Sequence, residues 1–438
     1  MLVNLKRPYG TGFSPRRTED FIFFTDRIDD FLFGQGEEVV IYVAGVRRTL
    51  RPVFRLSRNA VKTPFYQGRA EGGNSYIWKI RIDSSMLTPG FYDLEIDSDQ
   101  GNGNLSKGYC TFGYDIEHQS RPVARPEDFQ AFWALSLKKL EGIDLDPICG
   151  ERTVYRGKQI DDYNHTQASI PCNYDPEGCL YEEVESYEVS FQSVGGLRIH
   201  GWLAKPVTDE KLPVMLVLPG AGYAARSKPL EHARHGYLAL DIQVHGQGVD
   251  DEIYSPTQVS IDYEDPAYGQ EHYYNAIYLH CVQALNYLFS RDDIDKTRVV
   301  TVGGSQGGRL SLTTAALDNR VTAVVAGIVH YADIPYLQWA NEVNSRGENG
   351  TEKPFHVEDV EKIRATSYYD VLSFAPDIKC PVLMNGGLID AISLPGSIAA
   401  VYQHLGSKEK KLRYMANMAH DWDCQFDIDA WKWLKEVL

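Results

Sequence analysis

Beyond Tyr187 the chain carries short, largely apolar runs at 214–218, 238–242, 299–302, 324–329 and 382–384, most of them separated by stretches of helical periodicity. A strand that is apolar at every position must be covered on both faces, and helix-length connections between strands place them in parallel. The C-terminal part is therefore predicted to be α/β, a mostly parallel sheet with helices on both faces. Upstream, from about residue 37 to 113, the pattern differs. The runs at 39–43, 76–82 and 91–96 are short and separated by turn residues such as Pro89-Gly90, which predicts an antiparallel, Ig-like β-sandwich. A chain of 438 residues exceeds what one core usually organises. Two domains are expected, 1–120 and 121–438, joined by an Arg- and Pro-rich linker near 117–125. A helix is expected to open at 125–133, with Pro126 early and acidic residues in its first turn.

Composition narrows the partners. Apolar residues at 43% and charged residues at 24% are ordinary for a globular protein and give no sign of disorder. Sixty acidic against forty-four basic residues leave a net charge of -16, which repels phosphate backbones and anionic lipid, so nucleic acid is not an expected partner and an uncharged substrate is favoured. No run reaches the roughly eighteen apolar residues of a membrane helix, and residues 1–10 lack the apolar core of a signal peptide. The text reads as a soluble chain. Its compartment stays open between cytoplasm, periplasm and secretion, because a removed leader would leave the same sequence. The seven cysteines are scattered without CxxC pairs or His-rich spacing, which argues against a zinc site, and no cofactor is expected. Cys172 and Cys179 flank a short loop, and both a disulfide and a reduced pair are open readings.

The most informative stretch is Gly303-Gly304-Ser305-Gln306-Gly307-Gly308. It sets G-x-S-x-G directly after an apolar β run and before a helical one, the context of a nucleophile elbow that lifts a serine hydroxyl above the sheet. Gly303 and Gly307 fit because a side chain in so tight a turn would collide with its neighbours. The blander reading is a Gly-rich strand-to-helix turn without chemistry. A serine hydroxyl needs an imidazole to take its proton and a carboxylate to fix that imidazole's tautomer, and in the α/β-hydrolase fold the order is Ser, acid, His. Downstream, the strand at 382–384 leads into a short loop ending in Asp390, and the run at 411–415 leads to His420 before the last helix. Both positions fit a catalytic triad of Ser305, Asp390 and His420. Asp370 and Asp377 precede their strand, Asp421 and Asp423 are too near His420 in the chain to orient its ring, and His404 reads as a mid-helix histidine. The oxyanion hole is expected from the Gln306 N–H and a second donor in the loop Pro219-Gly220-Ala221-Gly222-Tyr223, where Ala221 and Tyr223 are the candidates.

These residues resemble the carbohydrate esterase family 7 acetyl xylan esterases, also called cephalosporin C deacetylases. The resemblance runs from Arg125 to Leu438 and rests on the helix at 125–133, the strand at 197–203, His245-Gly246-Gln247-Gly248, the run at 273–279 and, above all, Gly303 to Gly308 with Asp390 and His420 at the family's acid and base positions. It implies a serine esterase that removes acetyl groups from xylo-oligosaccharides or similar small acetylated molecules without a metal. The chain departs from the family in reading Pro219 to Tyr223 where His-Gly-Tyr is usual, His245 where Arg is common, and Arg309 where a small residue is usual. Compact family members tend to form hexameric rings, which brings a homo-oligomer into view, while the upstream β-sandwich sets this chain apart from them. Two other readings stand beside the esterase. A triad alone does not separate ester from amide cleavage, so a peptidase is one alternative, although no propeller repeat precedes Arg125. A carbohydrate-binding or scaffold protein with a vestigial site is the other. The insertion at 336–362, with Trp339, Asn341, Arg346 and Phe355, reads as a cap over the pocket or as a surface excursion.

Overall fold

A computed structural model describes residues 20–27, 30–45, 50–72, 76–99, 105–166, 181–222, 225–251, 273–345, 364–421 and 424–438. The N-terminal strands are β1 (Phe21–Phe24), β2 (Leu32–Phe33), β3 (Val39–Gly45), β4 (Leu50–Arg58), β5 (Tyr66–Arg69), β6 (Ile77–Ile82), β7 (Gly90–Asp99) and β8 (Leu105–Tyr114). They form two sheets, β1-β3-β6 and β2-β8-β7-β4-β5. Alternation of apolar and polar residues dictates the sandwich: Val39, Ile41 and Val43 of β3 point into a core shared with Phe54, Leu56, Leu94, Ile96 and Phe112. One pair departs from the expected antiparallel pattern, because β2 runs parallel to β8. Burial of Phe31 and Phe33 aligns this segment so that their carbonyls accept from the N–H groups of Gly113 and Asp115 at 3.0 and 2.7 Å.

The remaining strands are β9 (Ile148–Cys149), β10 (Thr153–Arg156), β11 (Glu183–Gln192), β12 (Arg198–Pro206), β13 (Leu212–Val217), β14 (Leu238–Gln243), β15 (Ile294–Gly304), β16 (Ala323–Gly327), β17 (Val382–Gly387) and β18 (Lys410–Met415). The helices are α1 (Phe129–Leu137), α2 (Lys158–Thr166), α3 (Leu230–Arg234), α4 (Tyr273–Phe289), α5 (Gln306–Leu317), α6 (Ile334–Ser345), α7 (Val371–Phe374), α8 (Pro395–His404) and α9 (Cys424–Val437). The strands make one sheet in the order β10-β11-β12-β14-β13-β15-β16-β17-β18, with β9 on β11. Its first ladders are antiparallel, and from β14 to β18 every neighbour is parallel. Every residue of β14, β16 and β17 is buried, as two-sided coverage requires. The edge strand β18 instead carries Lys410, Lys411 and Arg413 and is only partly covered, a composition that discourages pairing with another chain.

Helix α1 starts at Phe129, later than the sequence suggests, and no acidic residue lies in its first turn. The Asp128 carboxylate does not cap it, being held by the Tyr368 hydroxyl. The sandwich does not stand apart from the large sheet. Leu388, Ala399 and Ala416 join its apolar core, and the rings of Phe91 and Tyr414 meet at 5.4 Å. Leu388 lies in the turn after β17, so the sandwich core reaches the loop that carries Asp390.

Candidate active site

Strand β15 ends at Gly304 and α5 begins at Gln306, which leaves Ser305 to make the whole change of direction. It does so with φ 57° and ψ -120°, a backbone region that L side chains rarely adopt and that persists only where the surroundings enforce it. Here the Ser305 N–H donates to the Gly327 carbonyl at 2.9 Å, and its own carbonyl accepts from Arg309 N–H at 3.1 Å. A Cβ on Gly303 would stand 2.6 Å from the Gly307 carbonyl carbon and 2.7 Å from the Leu218 carbonyl oxygen. Glycine is thus what lets α5 and the loop after β13 crowd the elbow.

Asp390 and His420 arrive from neighbouring strands. Asp390 follows β17 with its side chain fully buried, and its Oδ1 accepts from the N–H groups of Ile392 and Ser393 at 2.8 and 2.9 Å. His420 follows β18 with 16% of its side chain exposed. Its Nδ1 lies 2.9 Å from Asp390 Oδ2 and its Nε2 lies 2.9 Å from Ser305 Oγ. A carboxylate at Nδ1 places the ring proton there, and Nε2 is left to accept from the serine hydroxyl. The His420 loop comes this near because residue 387 is glycine: a Cβ there would lie 2.6 Å from the Ala419 carbonyl oxygen.

The structure brings Ser305, Asp390 and His420 into one hydrogen-bonded line and leaves their sequence competitors elsewhere. Asp377 pairs with Arg125 at 2.7 Å. Asp370 caps α7 and also accepts from the N–H groups of Asp333 and Ile334. His404 ends α8 rather than lying mid-helix, and its Nδ1 contacts the Ala400 carbonyl oxygen at 2.9 Å. Gln306 is the first residue of α5, so its N–H has no acceptor within the helix. Ala221 sits exposed in the turn after β13. Tyr223, Cys172, Cys179, Asp423, Arg346 and Phe355 lie outside the described residues. Among the described residues, no group of three or more His, Cys, Asp and Glu side chains is arranged to hold a metal ion.

Sequence reasoning missed two neighbours of this line, His330 and Ser393, and named Arg309 without its surroundings. His330 follows β16, its N–H donates to the Ser305 carbonyl at 3.3 Å, and its ring centre lies 6.3 Å from that of His420. Burial, reinforced by Arg309 and His420, pushes its pKa down to about 4, so it is neutral near pH 7. Ser393 donates from Oγ to the Ile328 carbonyl at 2.8 Å, tying the acid turn to the end of β16. Arg309 is fully buried and bonds the Tyr278 hydroxyl and the Tyr369 carbonyl, while its guanidinium lies against the rings of Tyr274 and Tyr331 at 3.6 and 4.8 Å. This aromatic cage explains how a buried cation is accommodated here. His245 is likewise buried, its Nδ1 2.9 Å from the Tyr273 hydroxyl, with desolvation pushing its pKa down to about 4. Only a strand-end position next to the elbow could have pointed to His330 from the sequence.

Sheet order, elbow and the serine–histidine–aspartate line define an α/β-hydrolase. The family model described as acetyl xylan esterase (AXE1) matches residues 158–437, and the chain belongs to that family. It is accordingly a carboxylic-ester hydrolase. The acetyl esterase Axe7A of Xylanibacter ruminicola is 28% identical over 340 residues, covering 75% of this chain and 70% of that protein. Two solved structures share the fold. The acetyl xylan esterase from Paenibacillus sp. R4 is 24% identical with a TM-score of 0.56, covering 74% of this chain and 98% of that one. Acetyl xylan esterase 1 from Thermoanaerobacterium sp. JW/SL YS485 is 23% identical with a TM-score of 0.55, covering 73% and 97%.

Proposed function

We propose that this protein deacetylates acetylated xylo-oligosaccharides or similar small acetyl esters through an acyl-enzyme, with Ser305, His420 and Asp390 as its triad. The observation that carries this reading is the unbroken contact from Ser305 Oγ through His420 to Asp390 Oδ2, each step 2.9 Å. Ser305 Oγ attacks the acetyl carbonyl as its proton passes to His420 Nε2. Asp390 holds the ring in the accepting tautomer and balances the imidazolium that forms. The oxyanion is met by the Gln306 N–H and by a second N–H from the loop after β13, Ala221 or Tyr223. His420 then protonates the departing sugar oxygen, and a water activated by the same imidazole releases acetate. The division into an N-terminal sandwich, 1–120, and a catalytic unit, 121–438, belongs to the same proposal.

The test compares wild-type protein with Ser305→Ala on p-nitrophenyl acetate, p-nitrophenyl butyrate, an aminoacyl anilide and acetylated xylo-oligosaccharides. We expect turnover of the acetyl substrates, weak activity on the longer acyl chain and the anilide, and no turnover by the variant despite an unchanged circular dichroism spectrum. Activity retained by Ser305→Ala would remove the serine mechanism. Preference for the anilide would make the protein a peptidase.

A further inference from the structure

Residues 328–333, between β16 and α6, hold three of their six positions at positive φ: Ile328 at 40°, Tyr331 at 57° and Asp333 at 56°. None is glycine, and such backbone survives only where its surroundings fix it from several sides. On the inner side those restraints reach the triad. Ile328 N–H donates to Asn385 within β17, and its carbonyl accepts from Ser393, whose own N–H holds Asp390. His330 N–H donates to the Ser305 carbonyl. This short segment is thus bonded both to the nucleophile's backbone and to the acid turn.

Its outer side is held from the segment between β8 and α1. The Arg121 guanidinium carbon lies 3.5 Å from the Tyr336 ring centre, and Arg121 Nε lies 3.6 Å from Asp333 Oδ2. Neither Arg121 Nε nor Asp333 Oδ2 makes a hydrogen bond among the described residues. The Asp333 side chain is 5% exposed, and burial pushes its carboxyl up to about 7 while Arg121 pulls it down. Tyr336 in turn donates from its hydroxyl to the Asn59 carbonyl at 2.6 Å, and Asn344 bonds Ala60 and Lys62, all in the sandwich turn after β4.

We infer that Arg121 is a positioning residue for ester hydrolysis, clamping the strained 328–333 segment against the nucleophile elbow and the acid turn. This rests on the triad reading above. With a pKa of about 7 the buried Asp333 carboxyl is part ionised near neutral pH, and without Arg121 that charge has lost its nearby cation and must take up a proton or turn toward water. Either response relaxes the segment that fixes the spacing of Ser305 and Asp390. A misplacement of about 1 Å at reacting groups can cost on the order of a hundredfold in rate. Binding of a small ester is less sensitive to such a shift than its attack, so the effect falls on kcat.

The experiment measures kcat and KM on p-nitrophenyl acetate, with melting temperature, for the full-length Arg121→Ala, Arg121→Lys and Arg81→Ala proteins, each alongside Ser305→Ala. Arg81 lies on the exposed face of the sandwich, paired with Glu38, and controls for loss of one surface cation. We expect Arg121→Ala to lower kcat by about tenfold or more with KM within about threefold, Arg121→Lys to recover part of the loss, and Arg81→Ala to match wild type. In an Asp333→Asn background the Arg121→Ala loss should shrink, because no buried charge is left uncompensated. A kcat within twofold of wild type in Arg121→Ala, or the same loss in both Asp333 backgrounds, would overturn the inference. If Arg121→Ala does not fold, Arg121→Gln decides, since it removes the cation while keeping a long polar side chain, and unchanged kcat in it has the same meaning. Turnover by Ser305→Ala would instead unseat the triad reading itself.

Discussion

Replacing Asp390 by Asn reverses one hydrogen bond while leaving the shape of the site almost intact. Oδ1 of Asp390 accepts from the Ile392 and Ser393 N–H groups at 2.8 and 2.9 Å. An Asn carbonyl oxygen can keep both bonds, whereas its NH₂ placed there would face two donors. The NH₂ is therefore forced toward His420 Nδ1, 2.9 Å from the present Oδ2. A donor at that position requires Nδ1 to accept, which moves the ring proton to Nε2 and aims an N–H at Ser305 Oγ. The imidazole can then no longer take the serine proton. Loss of the correct tautomer in a triad costs about 10⁴ in kcat, or roughly 5 kcal/mol of barrier. The assay is kcat on p-nitrophenyl acetate near pH 7, with the melting temperature measured on the same samples. We expect about a 10⁴-fold fall with little change in melting temperature. A fall smaller than about tenfold would refute the tautomer argument, because the buried acid would then be dispensable for orienting His420.

Stability should decline in mild acid. Desolvation lowers the folded-state pKa of His232 and His280 to about 3 and of His245 and His330 to about 4, against about 6.5 when unfolded. The unfolded chain therefore binds protons that the folded one refuses as pH falls below 6.5, and each histidine removes about 1.4 kcal/mol per pH unit until its folded pKa is reached. Urea unfolding between pH 7 and 4 checks this, and a flat stability across that range would contradict the buried neutral imidazoles. Gly387→Ala should impair activity more than folding, since its Cβ would press within 2.6 Å of the Ala419 carbonyl oxygen and move the His420 loop. We expect a kcat loss of on the order of a hundredfold, and activity near wild type in a folded variant would show that the loop has room.

Much of the fold was legible because burial leaves a plain mark on sequence. The run at 324–327 is apolar throughout and that at 238–242 is apolar but for Asp241, and they become the two-sided strands β16 and β14. The elbow was legible because only glycine tolerates the crowding at 303 and 307. The positions of Asp390 and His420 followed from strand order, since both end parallel strands at one edge of the sheet. The start of α1 was misjudged because a tertiary partner, Tyr368, claims the Asp128 carboxylate. Strand β2 lies before the stretch read as sandwich, and its parallel direction is set by where Phe31 and Phe33 bury. His330 left only its place at a strand end beside the elbow, and Arg121 left no local signal at all. The importance of Arg121 arises from contacts with residues more than a hundred positions away, Asp333 and Tyr336, which no periodicity records.

Identifying the atom that carries the acetyl group tests the central claim most directly. The protein would be inactivated with a fluorophosphonate, which traps a nucleophilic serine, then digested and mapped by mass spectrometry, with residual esterase activity followed in parallel. We expect one adduct per chain, on the peptide containing Ser305, appearing at the rate at which activity disappears. An adduct on another residue, or full activity in protein modified at Ser305, would contradict the assignment.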